Sequence, residues 1–179
     1  MSSFKELNEL GKELQVLRHE RIYNIKNLPL KMKKEIAFVG KSNVGKSSLI
    51  NTLLNYNLNR VSKKPGCTKW IGYIELTNSM LIDLPGYGYA NVSKQRQEFW
   101  QDMIMSYINI KRIDTVLLLI DSRRGITQTD KEVASLFLNC KVKYIFTKSD
   151  EKDAKHNDIG FNASIRNGKD ILEIRKIIA

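Results

Sequence analysis

The stretch "GKSNVGKS", Gly40 to Ser47, sits directly behind the apolar run "EIAFV" and directly ahead of "SLINTLL". The spacing GxxxxGK[ST] leaves little choice of local structure: a buried strand, a glycine turn and a helix, in that order. The backbone N–H groups from Gly40 through Lys41, Ser42, Asn43, Val44 and Gly45 are expected to curl around phosphate oxygens. Lys46 carries a fixed positive charge toward the β- and γ-phosphates, and the Ser47 hydroxyl is a candidate Mg²⁺ ligand. The helix that follows turns its positive end to the same anion. A surface Gly-Ser-Lys turn is the plainer alternative, and the strand and helix flanks speak against it.

The rest of the chain repeats the strand–helix alternation. "IAFV", "MLID", "TVLLLID" and "VKYIF" are short apolar runs suited to strands buried on both faces of a parallel sheet. Between two of them, Phe99, Met103 and Tyr107 recur every fourth residue, with Trp100, Ile104 and Ile108 beside them, which is one apolar helix face built for core packing. Ile171, Ile174 and Ile178 form the stripe of a closing helix. The expected architecture is a three-layer α/β domain with a mostly parallel sheet, whose ligand sits beyond the carboxyl ends of the strands. Residues 1–34 read as an amphipathic helical arm ending in a connector at Pro29, and residues 35–179 as the domain.

The chain has 179 residues, which suits one α/β domain. No apolar stretch reaches membrane-span length, and the charged N-terminus has no signal-peptide core, so a cytoplasmic protein is expected. Cys67 and Cys140 lack zinc-site spacing and read as reduced thiols. A net charge of +11, with clusters at Lys31–Lys34, Lys63–Lys64, Lys111–Arg112 and Arg123–Arg124, points to a polyanionic partner and salt-dependent binding. A merely soluble basic surface is the alternative.

Whose phosphate is held follows from the other loops. "KPGCT" offers Thr68, whose hydroxyl can reach Mg²⁺ and whose N–H can reach a γ-phosphate. "LIDLPG" ends a strand at Asp83, which can hold the metal's water shell, and turns through Leu84 and Pro85 to Gly86, whose N–H can sense the γ-phosphate. "YIFTKSD" carries Thr147, Lys148, Ser149 and Asp150 at another strand end. The Asp150 carboxylate can accept from guanine N1–H and the exocyclic amine. Adenine offers no such pair and would leave it unpaired. Four ordered, strand-terminal loops together assign the phosphate to GTP, with GDP as product.

At this point the chain resembles a family. "GKSNVGKSSLIN", "KPGCT", "DLPGYGYA", "DSRRGITQTD" and "TKSD" are similar to the EngB/YihA/YsxC GTPases of the TrmE–Era–EngA–EngB–Septin-like class. The resemblance implies a P-loop NTPase of Ras-like G-domain fold and a monomer that takes part in assembly of the large ribosomal subunit or its rRNA precursor. A role in cell division and septation is implied with it. It also implies that Gly66, Cys67, Thr68, Lys69 and Trp70 form the first switch and Asp83 to Gly86 the second. Thr147 to Asp150 would read the base, with Ser47, Thr68 and Asp83 serving Mg²⁺. Lys46, Thr68 and Gly86 would act on the transferring phosphoryl group.

Three departures from the family stand out. Cys67 takes a place usually basic. Only Glu151 to Phe161 separates the base-reading loop from the last loop, where the family has a helix and strand. That loop, "FNASI", brings Asn162, Ala163 and Ser164, with the Ala163 N–H as the expected partner of guanine O6. Tyr87 replaces the glutamine that orients water in Ras-like enzymes, so slow hydrolysis is expected. In related GTPases without that glutamine an asparagine ligates K⁺, which the resemblance implies for Asn43; bracing of the loop by its side chain is the alternative. Two rival functions, an ATP-dependent P-loop enzyme and an RNA-binding module with a vestigial pocket, are opposed by Asp150 and by the intact Lys46, Ser47 and Asp83 respectively.

Overall fold

The computed structural model describes residues 14–57, 70–88, 94–155 and 159–179, with the side chains of 94–97, 99 and 100 left out. The first strand, β1, spans Val16–Ile22, and β2 spans Lys34–Gly40. Then come α1 (Lys46–Leu54), β3 (Ile71–Leu76), β4 (Ser79–Asp83), α2 (Lys94–Asn109), β5 (Ile113–Asp121), α3 (Gln128–Ser135), β6 (Lys141–Thr147), β7 (Phe161–Ala163) and α4 (Gly168–Ile178).

The seven strands form one sheet in the order β1-β3-β4-β2-β5-β6-β7. From β4 through β7 every pairing is parallel, while β1 and β3 run antiparallel to their neighbours. Val116 to Ile120 in β5 are all 0% exposed, which is why that strand reads as an unbroken apolar run. Leu117 and Leu119 face one core layer with Leu49, Leu53, Ile174 and Ile178 from α1 and α4. Val116, Leu118 and Ile120 face the other, with Tyr107 of α2 and Phe137 just past α3. Of the expected stripes, Met103, Ile104 and Tyr107 on α2 and Ile171, Ile174 and Ile178 on α4 are buried and Ile108 is half-buried; the Phe99 and Trp100 side chains lie outside the described set.

The helical arm expected across residues 1–34 is replaced at Val16–Ile22 by strand β1, paired with β3 from Val16↔Leu76 to Ile22↔Ile71. The sheet thus reaches back across the boundary drawn at residue 34. Residues 1–13 lie outside the described set. Charged side chains along "VLRHERI" suit a half-solvated edge strand, whose outer side is protected from pairing by such charges.

A buried ionic knot fixes the start of β2. The Glu35 side chain is 0% exposed and accepts from the Arg112 guanidinium and from the Tyr107 hydroxyl at 2.7 Å. Arg112 also donates to the Pro29 carbonyl at 2.6 Å. Lys31 pairs with Asp114, Lys33 with Glu75, Arg123 with Asp121 and Arg124 with Asp130. Much of the basic charge in those sequence clusters therefore has internal carboxylate partners. Lys63 and Lys64 lie outside the described residues.

Candidate nucleotide site

β2 delivers the chain to Gly40, where a Cβ would meet Val44 Cγ1 at 2.9 Å and Leu119 at 3.1 Å; only glycine fits. The loop then turns through Asn43 (φ 64°) and Gly45 (φ 100°), both in the left-handed region. Gly45 begins α1, its carbonyl accepting from the Leu49 N–H at 2.9 Å, and Lys46 is the first helical residue. The strand–turn–helix predicted around the motif is present. Ser47 is exposed on the first helical turn.

Parallel pairing of β4 with β2 sets Phe38 opposite Asp83, so the Asp83 carboxylate arrives beside the loop. There it forms an ion pair with Lys46, both side chains nearly buried. Leu84, Pro85 and Gly86 follow, all buried. A Cβ on Gly86 would lie 3.1 Å from the Ser42 nitrogen and 3.2 Å from the Gly40 oxygen, so the second-switch glycine rests on the phosphate loop itself.

Tyr87 fastens the two loops together. Its N–H donates to the Gly40 carbonyl at 3.1 Å, and its carbonyl accepts from the Ser42 N–H at 2.9 Å and hydroxyl at 3.1 Å. The ring is 4% exposed, packing in the core as expected for an aromatic beside the switch. The hydroxyl does more: it donates to Asp130, which is 0% exposed and also accepts from the Thr127 N–H at 2.7 Å and from Arg124 at 3.2 Å. Thr127 and Asp130 form a capping box on α3. Burial opposes ionisation of Asp130, but hydrogen bonds from Thr127 and Tyr87 outweigh it and hold the carboxyl below its ordinary range. Burial and the Asp130 bond push the Tyr87 phenol well up, so it stays a proton donor.

The Thr147–Asp150 loop, expected to read the base, is tied to the Gly40–Ser47 loop from the other side. The Thr147 hydroxyl donates to the Val44 carbonyl at 2.7 Å, and Lys148 Nζ donates to the Asn43 carbonyl at 3.1 Å and to Asp121 at 2.8 Å. Hydrogen bonds from Arg123 first, and then from Lys148, hold the Asp121 carboxyl well below its usual range. The Ser149 hydroxyl reaches Asp170 at 3.3 Å. Asp150 then borders a cavity of about 160 Å³ lined by Gly45, Leu49, Lys148, Ala163, Ile165 and Arg166 among others. The Ser164 hydroxyl, and to a lesser extent Arg166, keep the Asp150 carboxyl below its ordinary pKa.

The last loop is built differently from expectation. Asn162 and Ala163 belong to β7, opposite Phe146 and Thr147. Asn162 does not line the cavity, and its Oδ1 is buried with no hydrogen-bond partner among the described residues. Ala163 does line it. Ser164, which meets Asp150, is held by its own N–H donating to Asp170 at 2.8 Å. Ile165 and Arg166, which sequence reasoning passed over, complete the wall. Their signal was modest: a basic residue just beyond the candidate loop. Among the described residues no helix lies between β6 and β7; turns at Lys148–Glu151 and Glu151–Ala154 follow β6, and the two strands pair in parallel.

Of the expected first switch, Gly66, Cys67, Thr68 and Lys69 lie outside the described residues. Trp70 carries Arg21 of β1 over its ring at 4.8 Å. Among the described residues no group of three or more His, Cys, Asp or Glu converges on a metal position. Magnesium asks for less. It is held by one or two protein oxygens with waters and substrate phosphates, and Ser47 and Asp83 at the loop's rim fit that donor chemistry.

Comparison with known proteins agrees with this geometry. Residues 35–148 match the family model described as a 50S ribosome-binding GTPase. The chain is 50% identical over 139 residues to a probable GTP-binding protein EngB of Rickettsia felis, covering 75% of this chain and 66% of that one. A second EngB, from Rickettsia bellii, is 43% identical over 171 residues, covering 88% and 79%. The chain thus spans slightly less than two thirds of the first of these relatives. A crystal structure of a probable GTP-binding protein engB superposes with a TM-score of 0.62 at 28% identity, covering 80% of this chain and 96% of that one. The structure of Era in complex with MgGDPNP and nucleotides 1506–1542 of 16S ribosomal RNA shares the fold, with a TM-score of 0.59 at 22% identity, covering 82% and 57%. The P-loop with Lys46 against Asp83, the base loop braced on Val44, and these matches carry one conclusion: the chain belongs to the EngB family of GTP-binding proteins.

Proposed function

We propose that this protein binds GTP and GDP with Mg²⁺, hydrolyses GTP slowly, and works as a nucleotide-controlled switch in assembly of the large ribosomal subunit, on which normal cell division depends. The observation that carries the reading is the bracing of Thr147 and Lys148 on the carbonyls of Val44 and Asn43. It supports a fixed spacing between the loop carrying Asp150, read here as the base-contacting carboxylate, and the Gly40–Ser47 loop, which a nucleotide spanning the two would require.

In this reading Gly40 to Ser47 cradle the phosphates, and Lys46 leaves Asp83 to meet them. Thr68 and Gly86 close on the γ-phosphate. Magnesium, when bound, supplies charge neutralisation at the phosphates. The Tyr87 side chain is committed to Asp130 and turned into the core, so it does not stand in for the water-orienting glutamine. Catalysis is left to positioning and charge, which keeps it slow. The basic surface supports contact with ribosomal RNA, as does the wording of the matching family model.

The test is a titration of the purified chain with GDP, GTP and ATP in Mg²⁺. Guanine nucleotides bind at least tenfold more tightly than ATP on this reading; equal affinities exclude it.

A further inference from the structure

We propose that Arg166 is a specificity-determining residue of the base pocket: an internal cation that occupies the Asp150 carboxylate and that guanine must displace. The inference rests on the reading of Asp150 as the guanine-contacting carboxylate.

Arg166 Nη1 lies 3.0 Å from Asp150 Oδ2, and both residues line the same cavity. The arginine backbone is fixed, its N–H donating to Ser164 Oγ at 3.1 Å. Its side chain is 77% exposed and can swing away, whereas the Asp150 side chain is 28% exposed. A guanidinium offers parallel N–H donors to a carboxylate. The Watson–Crick edge of guanine offers the same pattern through N1–H and the exocyclic amine. The guanidinium holds Oδ2, and the guanine donor pair uses both carboxylate oxygens, so the two compete for Asp150.

Two consequences follow, of opposite sign for different nucleotides. A guanine nucleotide gains its bonds to Asp150 at the cost of an existing ion pair, so its affinity is lowered. An adenine nucleotide, offering no donor pair, leaves Arg166 on Asp150. The carboxylate then stays satisfied, and the penalty that a bare aspartate imposes on the wrong base is softened. Arg166 therefore narrows the ratio between guanine and adenine nucleotides. An ion pair this exposed has a modest effect, about two- to fivefold, and salt screens it.

The experiment is calorimetric titration of the full chain, and of its Arg166→Ala and Arg166→Gln variants, with GDP and ADP at low and high ionic strength. Melting curves run alongside establish that each variant is folded, and the second substitution serves if the first is not. The expected result is a rise of about two- to fivefold in GDP affinity for the variants at low salt, shrinking at high salt, with ADP affinity unchanged or lower. GDP affinity that is unchanged or reduced in folded variants overturns the proposal, a reduction meaning that the arginine holds the base rather than its carboxylate. Failure of the unsubstituted chain to prefer GDP over ADP overturns the guanine reading itself, and this inference with it.

Discussion

The Tyr87 hydroxyl donates to Oδ1 of Asp130 across 2.5 Å, joining the residue after Gly86 to the capping box of α3. Asp130 also takes bonds from Thr127 and Arg124, so the "DSRRGITQTD" stretch anchors the switch at one end. At its other end Asp121 anchors Lys148 of the base loop. One ten-residue segment thus touches both sides of the candidate nucleotide site.

Tyr87→Phe keeps the ring in the core but leaves Asp130 one donor short. A stability loss of about 1–2 kcal/mol is expected, the cost of an under-satisfied buried acceptor. GTP hydrolysis should persist within a few-fold, because the side chain is turned into the core and committed to Asp130. Denaturant melts and single-turnover assays on the same preparation check both; a total loss of hydrolysis in a folded variant would give Tyr87 a catalytic role.

The depressed pKa of Asp130 fixes a pH dependence. Its folded value lies below the unfolded 3.8, so its contribution is complete above that value and drains away as pH falls through the folded one. Asp130→Asn should therefore be less stable than the unsubstituted chain near neutrality. The gap should close as the pH drops below about 4. Melting temperatures of the two proteins from pH 7 to 3 test this, and parallel curves would contradict it.

Asp150→Asn should weaken GTP binding by about 10- to 100-fold, as loss of charge-assisted hydrogen bonds does. It should gain affinity for xanthosine triphosphate, whose carbonyl can accept from the new amide. Competition titrations with both nucleotides decide it; unchanged GTP affinity would remove Asp150 from the base pocket.

Asn43 stands in the left-handed region at the tip of the phosphate loop and is exposed. If its side chain ligates K⁺ beside the phosphates, hydrolysis runs faster in potassium than in sodium at equal ionic strength, and Asn43→Ala removes the difference. Equal rates in the two salts would leave Asn43 a loop-bracing residue.

The Gly40–Ser47 loop, the Asp83 strand end and the Thr147–Asp150 loop are legible in their place in the fold because each is a motif at the end of an apolar strand. β1 is not. Its charges sit at edge-strand positions, where period-2 patterning is weak and "LRHER" reads equally well as a helix. β3 was hidden by Gly72, whose missing side chain breaks the apolar run but leaves room for Asp83, 2.9 Å from where a Cβ would stand. The last loop is only partly legible: of Asn162, Ala163 and Ser164, the three residues of "FNASI" expected at the base, Ala163 lines the cavity. Pairing with β6 draws Asn162 and Ala163 into the sheet; Ala163 still lines the pocket, Asn162 and the buried Ser164 do not, and Ile165 and Arg166 complete the wall. The ion pairs of Arg112, Arg123 and Arg124 are long-range or turn-specific contacts that no charge count reveals.

Nucleotide-controlled contact with the ribosome is tested most directly by co-sedimentation of the protein with large ribosomal subunits, at two salt concentrations, with GDP or a non-hydrolysable GTP analogue. A basic surface alone gives association that falls steeply with salt and ignores the nucleotide. A switch needs differential affinity between its two states. The predicted result is tighter association with the GTP analogue than with GDP, persisting at the higher salt. Association that is equal with both nucleotides at each salt concentration would contradict it.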